Sequence, residues 1–544
     1  MRRWNGWGDE STSMALPESA SQFLKQTLGL GNILKDTTLK AIFPSVPESR
    51  LLPHPLINTD KEQRIRHAKG QSLPDWLAMR SGDIQCFPDG VSFVENRQDI
   101  QDMLAYAQQH KVDLIPYGGG TSVAGHINPS PSSKPVLTVN LSHLNQLIEL
   151  DEKSQIATFG AGTPGPMVEA QLRAKGYTLG HFPQSFELST IGGWVASRSS
   201  GQQSLRYGRI EQMFAGGTME TFAGPLSLPT FPASSAGPDI RELVLGSEGR
   251  FGIISEVKVR VTKLPEKEVF SVIFFPNWQQ ATTFCRQAVQ QKIPLSMLRV
   301  SNAIETKTQL KLAGHQDSIA WLEKYLSLRG CKQEKCMLTL GITGSKQQVK
   351  SSSQQIRALT KTHQGISTGK LLGKRWAQNR FRFPYLREAL WQQGYVVDTL
   401  ETATDWHNVD SLMAKIEKSL KSSLEQEGKR IHVFTHLSHV YAQGCSLYTT
   451  YLYSNQEDYQ QTLALWKKLK SDACQTIIEN GGTISHQHGV GKDHAPYLAT
   501  EKGDIGIKAI GQLSQHFDPD KLLNPGTLLS NKPLSELHKE AECD

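Results

Sequence analysis

Three consecutive glycines, Gly118, Gly119 and Gly120, follow the apolar run Val112-Asp113-Leu114-Ile115 and lead into Thr121 and Ser122. A strand ending in such a turn can bring its backbone against a ligand. Its N–H groups then form a nest for phosphate or pyrophosphate, with the hydroxyls as extra donors. The same residues also suit a plain flexible turn. Three more segments share the glycine chemistry. Ser185–Gly201 reads SFELSTIGGWVASRSSG, small residues that let a ring or a pyrophosphate lie against backbone. Gly246–Ile254 reads GSEGRFGII. Gly160, Gly162 and Gly165 have the literal G-x-G-x-x-G spacing of a dinucleotide fingerprint, after a strand and before a helix. Pro164 inside that turn, and no following strand that ends in an acid, make it a structural turn.

The elements around these turns are mixed. PDGVSFVENRQDIQDMLAYAQQH reads strand, turn and helix, with Ile100, Met103, Leu104, Tyr106 and Ala107 at helical spacing. PMVEAQLRAKGY reads as a helix capped by Gly176, and GIISEVKVRVTKL alternates like a strand. The expected fold class is therefore α+β. A leader with helices spans 1–84, a first domain 85–265, a second 266–480, and a C-terminal segment 481–544. A chain of 544 residues is long enough for these pieces. No apolar run reaches the roughly 18 residues a membrane span needs. MRRWNGWGDEST has no apolar stretch behind its arginines, which argues against a secretory signal. Lysine and arginine outnumber the acids by 59 to 52, a mild net charge of +7. That charge suits anionic small molecules or an anionic membrane surface. Without zinc-finger spacing or a basic helix with base-reading aromatics, nucleic acid is not an expected partner. Seven scattered cysteines read as reduced thiols of a cytoplasmic protein.

His486-Gln487-His488-Gly489 places two histidines on one face of an extended segment, suited to acid/base work or substrate contact. A metal would need further ligands, and no motif supplies them, so no metal is expected. Lys374, Arg375, Arg380, Arg382 and Arg387 lie among aromatics and can cradle phosphate or carboxylate, although a solvated basic face suits most of them. Tyr448, within CSLYTTY, reads by itself as a packing residue.

PYGGGTSV, SFELSTIGGWVASRSSG, GPDIRELVLGSEGRFGIISEV and HQHGVGK, in this order, resemble the FAD-binding fold of the vanillyl-alcohol oxidase (PCMH) type. The start, RWNGWG, the stretch PASSAGPDIRELVLGSEG, and Tyr441 to Tyr448 with Glu401, Thr402 and Trp406 upstream are similar to the alkyldihydroxyacetonephosphate synthases. The likeness runs over residues 3–530.

This resemblance implies an FAD-binding domain at 85–265, a cap over the substrate at 266–480, and a C-terminal segment that completes both. It implies FAD bound without a covalent link. The pyrophosphate loop would be Pro116, Tyr117, Gly118, Gly119, Gly120, Thr121 and Ser122. Further contacts would come from Gln184, Ser185, Phe186, Glu187, Leu188, Ser189 and Thr190, from Ser197, Arg198, Ser199 and Ser200, and from Glu248, Gly249, Arg250, Phe251, Gly252, Ile253 and Ile254. His126 is not expected to be a flavin linkage. The implied reaction exchanges the acyl chain of acyl-dihydroxyacetone phosphate for a fatty alcohol through an adduct at flavin N5, as in ether lipid synthesis. Tyr448, His486 and His488 would be catalytic, and Arg387 and Arg299 would bind substrate. A homodimer is expected, cytoplasmic and peripheral on the inner membrane surface, since AECD is no peroxisomal address.

One position departs from the pattern. The family's central histidine is Gln487 here, which hydrogen-bonds but does not titrate. Ser446 replaces a cysteine. Two other readings stay open: an FAD-linked D-2-hydroxyacid dehydrogenase or oxidase of the D-lactate or glycolate type, and a flavin-binding protein that has lost catalysis.

Overall fold

The computed structural model describes residues 1–313, 316–425 and 427–530. Residues 531–544 of the expected C-terminal segment, with Cys543, lie outside the described residues.

The glycine turn ends a strand, Asp113–Tyr117, at the edge of a four-stranded sheet. Its partner Val136–Asn140 runs parallel to it and to Gly90–Phe93. The fourth strand, Ile57–Asn58, comes from the N-terminal segment. A second sheet of five antiparallel strands runs Leu147–Asp151, Ile156–Gly160, Ile253–Arg260, Phe214–Thr221, Gly224–Leu228. Both sheets and the helices Arg97–His110 and Gly165–Arg173 share one apolar core, which includes Leu114, Leu137, Phe159, Val168 and Val257. The apolar spacing of Arg97–His110 is what buries Ile100, Met103 and Leu104 there.

The second domain is one seven-stranded antiparallel sheet. Its order is Ile366–Ser367, Lys267–Phe275, Cys336–Gly344, Met297–Ser301, His432–Val440, Gly444–Ser454, Tyr395–Asp405. The helices Trp278–Gln290, Lys346–Thr362, Val409–Glu425 and Tyr459–Glu479 cover one face with a continuous apolar core. Register across the last three strands sets the chemistry. Glu401 lies opposite Tyr448, and Tyr448 lies opposite His436. Directly opposed residues share a face, so the three form one row.

The N-terminal segment, expected as a leader with helices, has a core of its own. Trp7, Ile42, Ile65 and Trp76 pack there with Tyr385. The C-terminal segment returns to the first domain. Leu114 N–H donates to Leu522 O at 2.7 Å, and Asn524 N–H donates back to Leu114 O at 2.8 Å.

Candidate active site

The glycine turn, the Ser185–Gly201 segment and the Gly246–Ile254 turn converge on one cavity. Its empty space, counted out to its mouth, is about 1070 Å³. Pro116 through Val123 form one wall; Ser185, Ser189, Thr190, Gly192, Gly193, Ser197 and Ser199 form another; Glu248, Gly249, Gly252 and Ile254 form the third. Gln487, His488 and Asn524 close it from the C-terminal segment. The glycines are there because neighbouring atoms already fill the space where a side chain would go. A Cβ on Gly119 would stand 1.8 Å from Leu188 O, and one on Gly118 would stand 2.3 Å from the Thr190 hydroxyl.

Other residues of the expected cofactor set stand behind this wall. Phe186, Phe251 and Ile253 are core residues. Arg250 is buried and reaches Leu523 O and Ser514 Oγ. Arg198 pairs with Glu242 at 2.9 Å, and Glu187 accepts the Tyr385 hydroxyl at 2.9 Å. Gln184, Leu188 and Ser200 do not line the cavity either. His126 is engaged at both ring nitrogens: Nδ1 is 2.6 Å from Ser122 Oγ and Nε2 is 3.3 Å from Glu248. The G-x-G-x-x-G glycines lie elsewhere, pressed against backbone. A Cβ on Gly162 would meet Leu141 O at 1.7 Å.

Beside the cavity, the cap sheet carries a buried carboxylate, Glu401, whose side chain is 0% exposed. Five side chains surround it. Ser438 Oγ donates to Oε1 at 2.5 Å, and Gln487 Nε2 donates to Oε2 at 2.6 Å. His486 Nδ1 and His439 Nδ1 lie 3.1 and 3.4 Å from Oε1. His488 Nε2 is 3.7 Å from Oε2. Burial raises the Glu401 carboxyl, but His486 and His439 outweigh it and hold it well below the usual range. His486 is the reverse case: burial pushes it down to about 4, against the pull of Glu401. Its Nε2 accepts from Arg209 Nη1 and contacts the Tyr441 hydroxyl, both at 2.7 Å. The Nδ1 proton of a neutral His486 therefore points at Glu401.

Glu401, His439 and His486 are also the only group among the described residues with a metal-ligand donor set. Here Glu401's oxygens take hydrogen bonds and the Arg209 cation sits on His486, an arrangement that suits a proton network.

Tyr448 is half-buried within this row. Its hydroxyl lies 3.2 Å from Thr399 Oγ1, and its ring meets His488 edge-on at 6.0 Å. Burial, then Glu401, raises the phenol above its ordinary range, so it stays protonated. Behind it, Arg299 Nη2 donates to Glu305 Oε1 at 2.6 Å, and His436 Nδ1 lies 3.2 Å from Glu305 Oε2. Burial raises Glu305, but Arg299 and His436 hold it down at about 2. Arg387 lies against the N-terminal core. Nη1 donates to Gln71 O at 2.6 Å and the guanidinium stacks 4.2 Å over Trp76, while Nη2 is buried without a partner. Gln71 N–H in turn donates to Ser122 O at 2.6 Å, so Arg387 is one residue removed from the glycine loop.

Arg209, His439, Glu305 and Gln71 were not expected in the site. His439 had a sequence signal hidden by a bulge. In HVFTHLSHV, strict alternation puts Ser438 and His439 on opposite faces. The register shift between Leu437 and Val440 lets both reach Glu401.

Residues 88–224 match the family described as FAD binding domain, and residues 264–528 match FAD linked oxidases, C-terminal domain. An alkyldihydroxyacetonephosphate synthase of Trypanosoma brucei brucei is 27% identical, over 98% of this chain and 93% of its own length. The solved structure of an alkyldihydroxyacetonephosphate synthase superposes with a TM-score of 0.83 at 26% identity, covering 96% of this chain and 98% of its own. p-Cresol methylhydroxylase with substrate bound shares the fold, with a TM-score of 0.67 at 13% identity, over 95% of this chain and 99% of its own. The cofactor is FAD, and the cavity fits it. The glycine wall admits backbone contact to a pyrophosphate, and the buried Oδ1 of Asn524, a lining residue, has no partner within the chain.

Proposed function

We propose, for a chain that is an FAD-dependent enzyme of the alkyldihydroxyacetonephosphate synthase type, that it exchanges the acyl chain of acyl-dihydroxyacetone phosphate for a fatty alcohol. The C1–O bond to the acyl group breaks and a fatty carboxylate leaves. The alcohol oxygen forms the new C1–O bond and its proton is released, so no net oxidation occurs. Bound FAD supplies a reversible electron sink for that exchange.

The observation that carries this reading is a shared wall. Gln487 and His488 line the FAD cavity and also contact Glu401, in the row that holds Tyr448. A proton-handling set thus borders the cofactor space. His488 keeps 21% of its side-chain surface free, and burial holds its ring below the ordinary histidine pKa, so it is neutral and can accept the C1 proton. Tyr448 starts protonated and donates. His486, with both nitrogens engaged, keeps Glu401 in place between them. The unpartnered Nη2 of Arg387 supplies the phosphate contact. Arg299, compensated by Glu305, holds the face behind Tyr448.

The lipid substrates approach from a membrane surface. Between Glu334 and Glu388 the chain has no acidic residue, and Lys370, Lys374, Arg375 and Arg382 of this stretch are exposed beside Leu371, which is 65% exposed. No helix among the described residues is long and apolar enough to cross a membrane.

The test is to incubate the FAD-loaded protein with palmitoyl-dihydroxyacetone phosphate and hexadecanol and to measure ether lipid by mass spectrometry. Ether product with release of palmitate supports the reading. No product, with D-lactate or glycolate bleaching the flavin band, moves the chain to the FAD-linked D-2-hydroxyacid dehydrogenase or oxidase reading.

A further inference from the structure

We propose that Glu401 fixes the direction of the Gln487 amide, so that position 487 presents to the cavity a hydrogen-bond acceptor that does not titrate. Gln487 Nε2 lies 2.6 Å from Glu401 Oε2. The opposite amide orientation would set a carbonyl oxygen against a buried carboxylate, with no proton between them. The carboxylate has nowhere to turn. Its other oxygen is held by Ser438 at 2.5 Å and by His486 at 3.1 Å, and its side chain is 0% exposed. With one N–H of the amide committed to Glu401, the carbonyl oxygen is the acceptor left beside the cavity that Gln487 lines, next to the second N–H.

The consequence is selectivity. A carbonyl oxygen accepts from a hydroxyl or an N–H and repels a carboxylate. A histidine here that donated to Glu401 through one nitrogen would accept with the other when neutral, but would donate and attract an anion when protonated. Position 487 thus disfavours small carboxylates in this part of the cavity and favours neutral hydroxyl or amide donors. Glu401 is a positioning residue in this account, because it acts through Gln487.

Two measurements on the FAD-loaded protein test this, and neither needs turnover. The first is Gln487→Glu, which sets a second carboxyl against Glu401, so that the pair shares a proton. The flavin band should then shift with pH, with an apparent pKa at least one unit above the ordinary glutamate value of about 4.3. Adding Glu401→Gln should lower that apparent pKa by at least one unit. An unchanged value, or no spectral response, overturns the proposal. The second uses Gln487→Met, which keeps length and loses the amide, and covers the case in which the carboxyl pair prevents folding. Oxalate, titrated by its perturbation of the flavin band, should bind this variant at least fivefold more tightly than the wild type. Equal affinity overturns the proposal. A protein that forms no ether lipid but passes both measurements would refute the proposed reaction and leave this inference standing.

Discussion

The rings of Tyr448 and His436 lie nearly parallel, with centroids 4.8 Å apart and planes 18° from one another. They belong to adjacent strands at one register position, so sheet geometry holds the phenol in place. Tyr448→Phe keeps that stacking and removes only the hydroxyl. We expect FAD content to be unchanged and kcat to fall by about 10²–10⁴-fold, the range of a lost acid/base group. Flavin absorbance per protein and a turnover assay check both parts. Wild-type turnover would remove Tyr448 from the mechanism.

Gly119→Ala tests the cofactor wall. The new Cβ would stand 1.8 Å from Leu188 O, and backbone cannot step aside cheaply. Overpacking of this kind costs roughly 1–3 kcal/mol. Affinity for FAD should fall at least tenfold, as read by equilibrium titration of the apoprotein. A full complement of FAD at wild-type affinity would show that the loop can relax.

Arg387→Lys separates clamping from packing. Lysine keeps the charge but loses the fork that holds Gln71 O and the plane that stacks on Trp76. KM for the acyl substrate should rise more than tenfold with kcat within threefold. A fall in kcat at constant KM would mean that Arg387 contributes only in the transition state.

Acidification should destabilise the protein from pH 6.5 downward. Burial holds His67 and His486 at about 4 and His181 at about 3. In the unfolded chain each takes up a proton near pH 6.5, and in the folded protein it does not. The unfolded state therefore binds more protons below pH 6.5, and stability falls as pH falls. Each histidine contributes about 1.4 kcal/mol per pH unit across its window. Asp493, raised to about 6 by burial and by Asp75, acts in the opposite sense and offsets one of the three between about pH 4 and 6. Glu401, depressed, adds its own loss below about pH 4.5. Thermal denaturation of the FAD-loaded protein at stepped pH should show Tm dropping monotonically from pH 6.5 to 4.5. A flat profile would mean that these histidines are charged in the folded state.

The cofactor cavity was legible in the sequence because glycine reports its own constraint. Gly119 stands where backbone must meet backbone, and Gly118 where the Thr190 side chain leaves no room for a Cβ. Gly162 obeys the same rule against Leu141 O but does not itself line the cavity, and Pro164 nearby carried that distinction. The proton network was far less legible. Glu401, His439, His486 and Arg209 are far apart in the chain and meet only through strand register and a bulge. Nothing in the residues around Arg209 announces a partner almost 280 positions away, since pairing at that range is decided by tertiary packing. The first 84 residues were similarly opaque. They read as a leader with helices, yet Gln71 and Trp76 connect Arg387 to the glycine turn.

Glu248 accepts the N–H groups of Val490 and Gly491 at 2.6 and 2.7 Å, from a turn that also lines the cofactor cavity. Between those two points the chain leaves the first domain, builds the whole cap sheet and comes back. During synthesis, then, the glycine loops emerge long before the residues that pin them. Leu114, paired on one side with Leu137, lacks its bridge on the other side until Leu523 has been made. Cofactor loading is for this reason a late event in the life of the chain. A ribosome stalled within the cap would release a protein with all its glycine-rich cofactor turns and without the C-terminal residues that close the cavity.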